Sequence, residues 1–353
     1  MTSFAQSEPT GPLDPVNALL RVAYLQDRGL LPSQKTAAFL NAAEVLSALS
    51  EQELNRHIEA RTLTDLPGIG KSTAEVAIQA AEGTIPDRIA ALEETTRIPM
   101  GEGAQLRAAL KGDCHTHSTW SDGGASISTM VGAARNLGHE YLVLTDHSPR
   151  LTVAHGLDRN RLLAQLDEIE EINGQLESFR ILTGMEVDIN ADGTLDQAPD
   201  MLDRLDVVVA SVHSKLSMGR SEMTRRMVKA VVDPNVNILG HCTGRKVKGF
   251  GDDLRHVREQ SDFDADMVFA ACAQYDTAVE INCRPERQDP PPELLDLALE
   301  WDCLISIDTD AHAPGHLEFL AYGCDKAVAH GIDPDRIINT WSPERLLAWA
   351  GSR

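Results

Sequence analysis

Nine side chains of metal-binding type recur along the chain from residue 115 onward. His115 and His117 stand two apart, Asp122 follows, and then come His147, Glu186, His213, His241 and the pair Asp310 and His312. Side chains two apart on a strand face the same side, so His115 with His117, and Asp310 with His312, each make a paired donor set. Imidazole and carboxylate in this mixture suit Zn, Mn or Fe and require no thiolate. Nine donors exceed what one tetrahedral ion needs, so two or three divalent ions are expected, with a carboxylate such as Glu186 bridging. Closely spaced ions serve displacement at phosphorus: one makes hydroxide from water near neutral pH, and the others stabilise charge on the attacked and leaving oxygens. A lone strand-end histidine is more often structural than a ligand. That account fails when eight such positions gather at one end of the strands.

Charge on a phosphate ester also needs donors. Arg150, Lys215, Arg245 and Arg284 fall in strand-end loops beside these residues. Arginine suits bidentate phosphate recognition. Arg284, in INCRPER, is the first choice, because its strand contributes no metal ligand and its end is free for substrate. The catalytic set expected is therefore Glu186, Asp310 and Arg284.

The elements that must position these groups follow from the apolar pattern. Strands are expected over 112–117, 141–146, 180–187, 205–212, 236–240, 277–282 and 303–308, with helices near 126–137, 159–177, 221–232, 262–275, 292–301 and 317–330. Seven strand–helix units point to a parallel sheet and, by their number, to a closed barrel; a doubly wound open sheet is the alternative. Nearly every expected strand ends in His, Asp or Glu, the end where barrel enzymes build their sites. The first hundred residues read differently. Three- and four-residue apolar spacing predicts helices over 16–28 and 34–49, with Ser33 as N-cap, then over 51–60, and one ending at Gly83. The organisation expected is a disordered lead-in over 1–15, a helical domain over 16–97, a linker over 98–111 marked by two glycines and a proline, and the barrel over 112–353.

The segments DCHTHSTWSDG, LTDHS, GMEVDI, VVASVHS, GHCTGR and DTDAHAPG resemble, in order, the motifs of the PHP (polymerase and histidinol phosphatase) family. The resemblance spans about residues 112–325. It implies a distorted seven-stranded β/α barrel with a trinuclear metal centre, whose ligands would be His115, His117, Asp122, His147, Glu186, His213, His241, Asp310 and His312. By the same resemblance, His115, His117, Glu186 and Asp310 hold one ion, Glu186, His213 and His241 a second, and Asp122, His147 and His312 a third.

In the helical region, LTDLPGIGKSTAEVA resembles the helix-hairpin-helix of the family X DNA polymerases. Gly68 and Gly70 permit a tight turn around Ile69 whose N–H groups would meet a DNA phosphate, with Lys71 adding a cation. Residues 1–105 hold 8 Lys/Arg against 14 Asp/Glu, the opposite of the balance that phosphate binding favours. Between Gly83 and Lys111 there is no room for a polymerase palm. Lys35, the one lysine of the first helices, reads as a solvated residue. The net charge of −22 likewise counts against non-specific nucleic-acid binding. Six scattered cysteines without a CxxC pair fit reduced thiols in the cytoplasm. No run of about 18 apolar residues predicts a membrane span. The leading expectation is a phosphoesterase trimming DNA ends as a 3′-phosphatase or 3′–5′ exonuclease. A small-molecule phosphomonoesterase of histidinol-phosphatase type is the rival within the class. A non-catalytic DNA-binding module with a structural metal centre is the rival outside it.

Overall fold

The computed structural model describes residues 13–352; the lead-in expected over 1–15 lies almost wholly outside them. The chain divides into two compact units, one running to Ile98 and including Ala313–Glu318, the other comprising Pro99–His312 and the residues from Phe319 onward.

The first unit is helical: α1 (Pro15–Arg28), α2 (Ser33–Ser47), α3 (Glu51–Glu59), α4 (Lys71–Ala81) and α5 (Asp87–Thr95). Helix α1 starts where Asp14 accepts from the amides of Val16 and Asn17, with Pro15 pre-set at the first helical position. Leu19, Val22 and Leu25 then form a three-residue stripe that packs on Phe39, Leu46 and Val76. Ser33 is not the N-cap of α2. Pro32 holds that position and supplies no side-chain bond, and Ser33 opens the helix. Helix α3 begins at a capping box in which Ser50 and Glu53 satisfy each other's backbone amides. Between α3 and α4 the chain makes one 3₁₀ turn (Leu63–Asp65) and a short connection in which Gly68 takes φ +89°, a region that side-chain-bearing residues seldom enter. Ile69 is buried there, and Gly70 caps α4. Helix α5 was not expected; only Ile89 and Leu92 mark its buried face.

The second unit is built on β1 (Gly112–Thr116), β2 (Tyr141–Leu144), β3 (Arg180–Asp188), β4 (Val207–Ser211), β5 (Ile238–Leu239), β6 (Lys246–Lys248), β7 (Arg255–Arg258), β8 (Ala278–Asn282) and β9 (Ile305–Asp308). Seven of these form one sheet in the order β1-β2-β3-β4-β5-β8-β9, every pair parallel. A parallel bridge between Thr116 and Ala311, with the His117 amide on the Ala311 carbonyl at 2.8 Å, brings the last strand back to the first. The result is a nearly closed barrel, and the open doubly wound alternative is set aside. Carboxylates complete the seam: Asp308 accepts from the Cys114 amide at 2.9 Å, and Asp113 accepts from the Thr309 amide. The remaining pair, β6 and β7, is a separate antiparallel hairpin that was not foreseen.

Helices α6 (Ala104–Ala109), α7 (Ile127–Asn136), α8 (Arg159–Asn173), α9 (Pro199–Leu202), α10 (Arg220–Val231), α11 (Ala265–Gln274), α12 (Pro292–Glu300), α13 (Leu320–Ala329) and α14 (Pro343–Ala350) complete this unit. The stretch expected as a linker, 98–111, contains α6. Its glycines serve close approach: the amides of Gly101 and Gly103 donate to the Asp325 carboxylate at 3.0 and 2.7 Å, and a Cβ on Gly103 would come within 2.5 Å of the Asp325 nitrogen. Tyr141, Val207, Ile238 and Ala278, all at strand starts, pack with Cys114, Trp341 and Leu346 in an apolar cluster. The opposite ends of the strands are left for polar groups.

Candidate metal centre

All nine side chains singled out by their type converge at the carboxyl ends of the barrel strands. His115 lies on β1 and His117 just beyond it, while His147, Glu186, His213 and His241 lie at or just past the ends of β2, β3, β4 and β5. Asp310 and His312 follow β9, with Asp310 at φ +51°, and Asp122 reaches in from the loop after β1. Glu186 is at the centre. Its Oε2 lies 3.3 Å from His115 Nε2, 3.6 Å from His117 Nε2 and 2.9 Å from His147 Nδ1; its Oε1 lies 3.2 Å from His213 Nε2 and 2.9 Å from His241 Nε2. Three groups of donor atoms, each within 4.8 Å of one another, can be drawn: His115, His117 and Asp310; His117, Asp122, His147 and His312; and His147, Glu186 and His213. They overlap the three groupings implied by the family resemblance. The differences are that Glu186 is not grouped with His115, His117 and Asp310, that His117 joins Asp122, His147 and His312, and that His147 takes the place of His241 beside Glu186 and His213, His241 Nε2 reaching Glu186 alone.

The donor set fits divalent ions. Among the described residues, buried imidazole nitrogens of His115, His117, His147, His213 and His241, together with Oε2 of Glu186, have no hydrogen-bond partner. Orphaned polar atoms of this kind are costly in a protein interior unless something binds them. Burial, and then the neighbouring imidazoles of His312 and His147, hold His117 well below the usual histidine range, in the neutral form that binds metal. Burial followed by the Arg287 guanidinium brings His241 down to about 4. Burial opposes charge on Glu186 too, but His115, His213 and His147 outweigh it and keep the carboxyl ionised far below its usual range. The same carboxylate overcomes burial at His213 and lifts it to about 9.

The groups behind these donors include several that sequence reasoning passed over. Glu280, fully buried on β8, accepts from His115 Nδ1 at 2.5 Å and also receives the His241 amide. It therefore fixes the ring of His115 with Nε2 facing Glu186 and Asp310. Asp188 accepts from the His213 amide at 3.1 Å and places its carboxylate 3.6 Å from His213 Nδ1. Arg287 Nε donates to Asp310 Oδ2 at 3.0 Å. His312 Nδ1 lies 2.8 Å from the Asp310 carbonyl, which turns Nε2 toward Asp122 at 3.3 Å. One signal for Glu280 was available: a glutamate in the apolar run TAVEIN, two residues from Asn282 on the same face. For Arg287 the signal was its place three residues after Arg284.

The expected substrate cations separate. Arg284 is in the site, its Nη1 donating to the Asp310 carbonyl at 3.1 Å and lying 2.9 Å from His312 Nδ1. Arg150, half-exposed, is held by Asn190 at 2.8 Å and by Asp188 at 3.3 Å. Lys215 is exposed at φ +53°. Arg245 is buried, and its guanidinium donates to the carbonyls of Arg287 and Gln288. Its charge braces the loop that carries Arg287. In the turn before α4, the Ile69 amide donates to the Leu66 carbonyl at 3.1 Å and the Gly70 amide to Thr73 Oγ1 at 3.0 Å, while Lys71 is exposed. The six cysteines are reduced and buried; Cys114 packs in the apolar cluster, and the Cys242 thiol meets Asp289. No helix among the described residues is long and apolar enough to cross a membrane.

The family model described as PHP domain matches residues 113–283. A Bacillus subtilis protein, DNA polymerase/3′-5′ exonuclease PolX, is 37% identical over 240 residues, covering 68% of this chain. The chain spans 41% of the length of that relative. An Escherichia coli protein, probable phosphatase YcdX, is 26% identical over 258 residues, covering 68% of this chain and 94% of the relative. Among solved structures, histidinol phosphate phosphatase from Lactococcus lactis, complexed with zinc, L-histidinol and phosphate, matches at 18% identity and a TM-score of 0.44, covering 63% of this chain and 94% of that one. Residues 113–283, which carry seven of the nine convergent side chains, are thus a PHP domain.

Proposed function

We propose that the barrel is a metal-dependent phosphoesterase holding two or three divalent ions (Zn, Mn or Fe), and that its substrate is a DNA end, trimmed as by a 3′-phosphatase or 3′–5′ exonuclease. The observation that carries the reading is Glu186, a buried carboxylate with five imidazole nitrogens within 3.6 Å. His115, His117, Asp122, His147, His213, His241, Asp310 and His312 would complete the ligand set around it. Ions bound there supply the nucleophile from water and Lewis-acid charge at phosphorus. The chain's own part is to orient and to neutralise. Glu280 fixes the imidazole of His115, Asp188 holds the backbone of His213, Arg287 keeps Asp310 ionised, and Arg284, at the edge of the site, offers guanidinium N–H groups to a phosphoryl oxygen.

The DNA-end reading draws on the PolX relative, whose identity of 37% exceeds the 24–27% of the relatives named probable phosphatases. It also draws on the helix–turn–helix of α3 and α4, read as a helix-hairpin-helix in which Gly68, Ile69, Gly70 and Lys71 approach a phosphate. Because the Ile69 and Gly70 amides already have partners, Lys71 and the start of α4 would make most of that contact. The second reading is a small phosphomonoester of the histidinol phosphate kind. It is favoured by the probable phosphatases, which match over 78–94% of their length. Reduced, buried thiols agree with a cytoplasmic enzyme.

Hydrolysis of a 3′-phosphorylated oligonucleotide and of histidinol phosphate by the manganese-loaded protein, with an Asp310→Ala/His312→Ala control, tests the choice. Preference for the oligonucleotide, lost in the control, is expected. Preference for histidinol phosphate would overturn the DNA reading, and loss of neither activity in the control would overturn the metal site.

A further inference from the structure

The β6–β7 hairpin is at odds with the rest of the chain. From Arg245 to Arg258 it holds five Lys/Arg against two Asp, within a protein of net charge −22. The register sets like charges opposite each other: Lys246 pairs with Arg258, and Lys248 with Arg255. Cross-strand pairs of like charge are destabilising. Among the described residues, none of these four has a carboxylate oxygen within 4 Å. Lys246, Lys248 and Arg255 are exposed. At the tip, Phe250 is 48% exposed, with one face tilted on Tyr322 at a centroid distance of 5.2 Å.

The hairpin is also anchored to the metal centre. It leaves the chain a few residues after His241, whose carbonyl accepts the Gly244 amide at 2.8 Å. The Val247 amide donates to the Glu286 carbonyl at 2.8 Å, and Gln288 donates to the Gly249 carbonyl at 2.9 Å, tying the hairpin to the loop that carries Arg284 and Arg287. Burial, and then the guanidiniums of Arg287, Arg258 and Arg284, push the Lys246 ammonium below its usual range, as expected for cations crowded together. Between the hairpin and α13 lies a cleft of about 950 Å³, walled by Phe250, Leu254 and Tyr322 and reached by Lys326. That is the size of a small-molecule site.

We infer that the hairpin and this cleft bind the terminal stretch of a single-stranded DNA, its phosphates lying along Lys246, Lys248 and Arg255 and a base stacking on the open face of Phe250. A cationic track beside an exposed aromatic ring is the combination by which single strands are held without sequence preference. The inference rests on the DNA-end reading and supplies the element that would lead the strand to Glu186. It also places DNA binding at residues 245–258, a positively charged stretch of an otherwise acidic chain.

The test is fluorescence anisotropy of a labelled short oligothymidylate with phosphorothioate links, titrated with the full-length manganese-loaded protein over a range of salt. Phe250→Ala should weaken binding about tenfold without changing the salt slope, and Phe250→Trp should restore it, since stacking on one base is worth about 1–3 kcal/mol. Lys248→Ala/Arg255→Ala should lower the magnitude of the salt slope by about 1.4, from about 0.7 per phosphate contact on single strands. Arg180→Ala, at the start of β3, should match the wild type. Wild-type affinity and slope in the Phe250→Ala and double variants would overturn the hairpin's role while leaving the DNA-end reading standing. Failure of the wild type to bind the oligonucleotide, with a small phosphomonoester still hydrolysed, would overturn both.

Discussion

Glu280→Gln is the perturbation that most sharply separates a tuned metal centre from a mere cluster of histidines. The Glu280 carboxylate receives three donors: His115 Nδ1 at 2.5 Å, the His241 amide, and Asn282 Nδ2 at 3.2 Å. Glutamine keeps the volume but leaves one acceptor oxygen, and it turns an NH₂ group against at least one of those donors. The charge-assisted bond that holds His115 in the tautomer with Nε2 free is lost. Replacing such an outer partner of a ligating histidine lowers metal affinity about ten- to hundredfold, or about 1.4–2.7 kcal/mol. The assay is competition for manganese against a graded chelator, read by metal analysis, on protein whose circular dichroism matches the wild type. Affinity within twofold of the wild type would refute the view that Glu280 orients a metal ligand.

Two further predictions follow from charge. Asp310 is held ionised, against burial, chiefly by Arg287; Arg287→Gln should therefore raise the pH below which metal is released, as followed by metal content across a pH series. His139 is buried and takes a hydrogen bond from Arg107 at 3.2 Å; burial, and then that guanidinium, lower it to about 3. A folded-state value below the unfolded 6.5 means its contribution is present above pH 6.5 and is lost as pH falls toward 3. Between pH 7 and 4.5 the loss should be about 2–3 kcal/mol, and urea unfolding of His139→Gln should fall less steeply over that interval.

The barrel was legible because its strands are short apolar runs that end in metal-type residues, and all seven of its sheet strands coincide with expected spans. The paired spacing of His115 with His117, and of Asp310 with His312, was enough to place four donors. Other features left weaker marks. The β6–β7 hairpin has a single buried apolar residue, Val247, across both strands, so no alternation betrayed it. Helix α6 was hidden because Gly101 and Gly103 read as punctuation, whereas their role is to let the backbone meet Asp325. Arg245 looked like a substrate cation because sequence gives a side chain's neighbourhood in the chain but not its direction. Its guanidinium turns to backbone carbonyls. Glu280 and Arg287 act through ligands contributed by other strands, and that pairing exists only once the barrel closes.

The most direct test of the central claim is the metal content of the purified full-length protein after manganese repletion and removal of free ion. Two or three ions per chain are predicted, falling in an Asp310→Ala/His312→Ala variant that still folds. Fewer than two ions per chain in the wild type would contradict a multinuclear centre around Glu186.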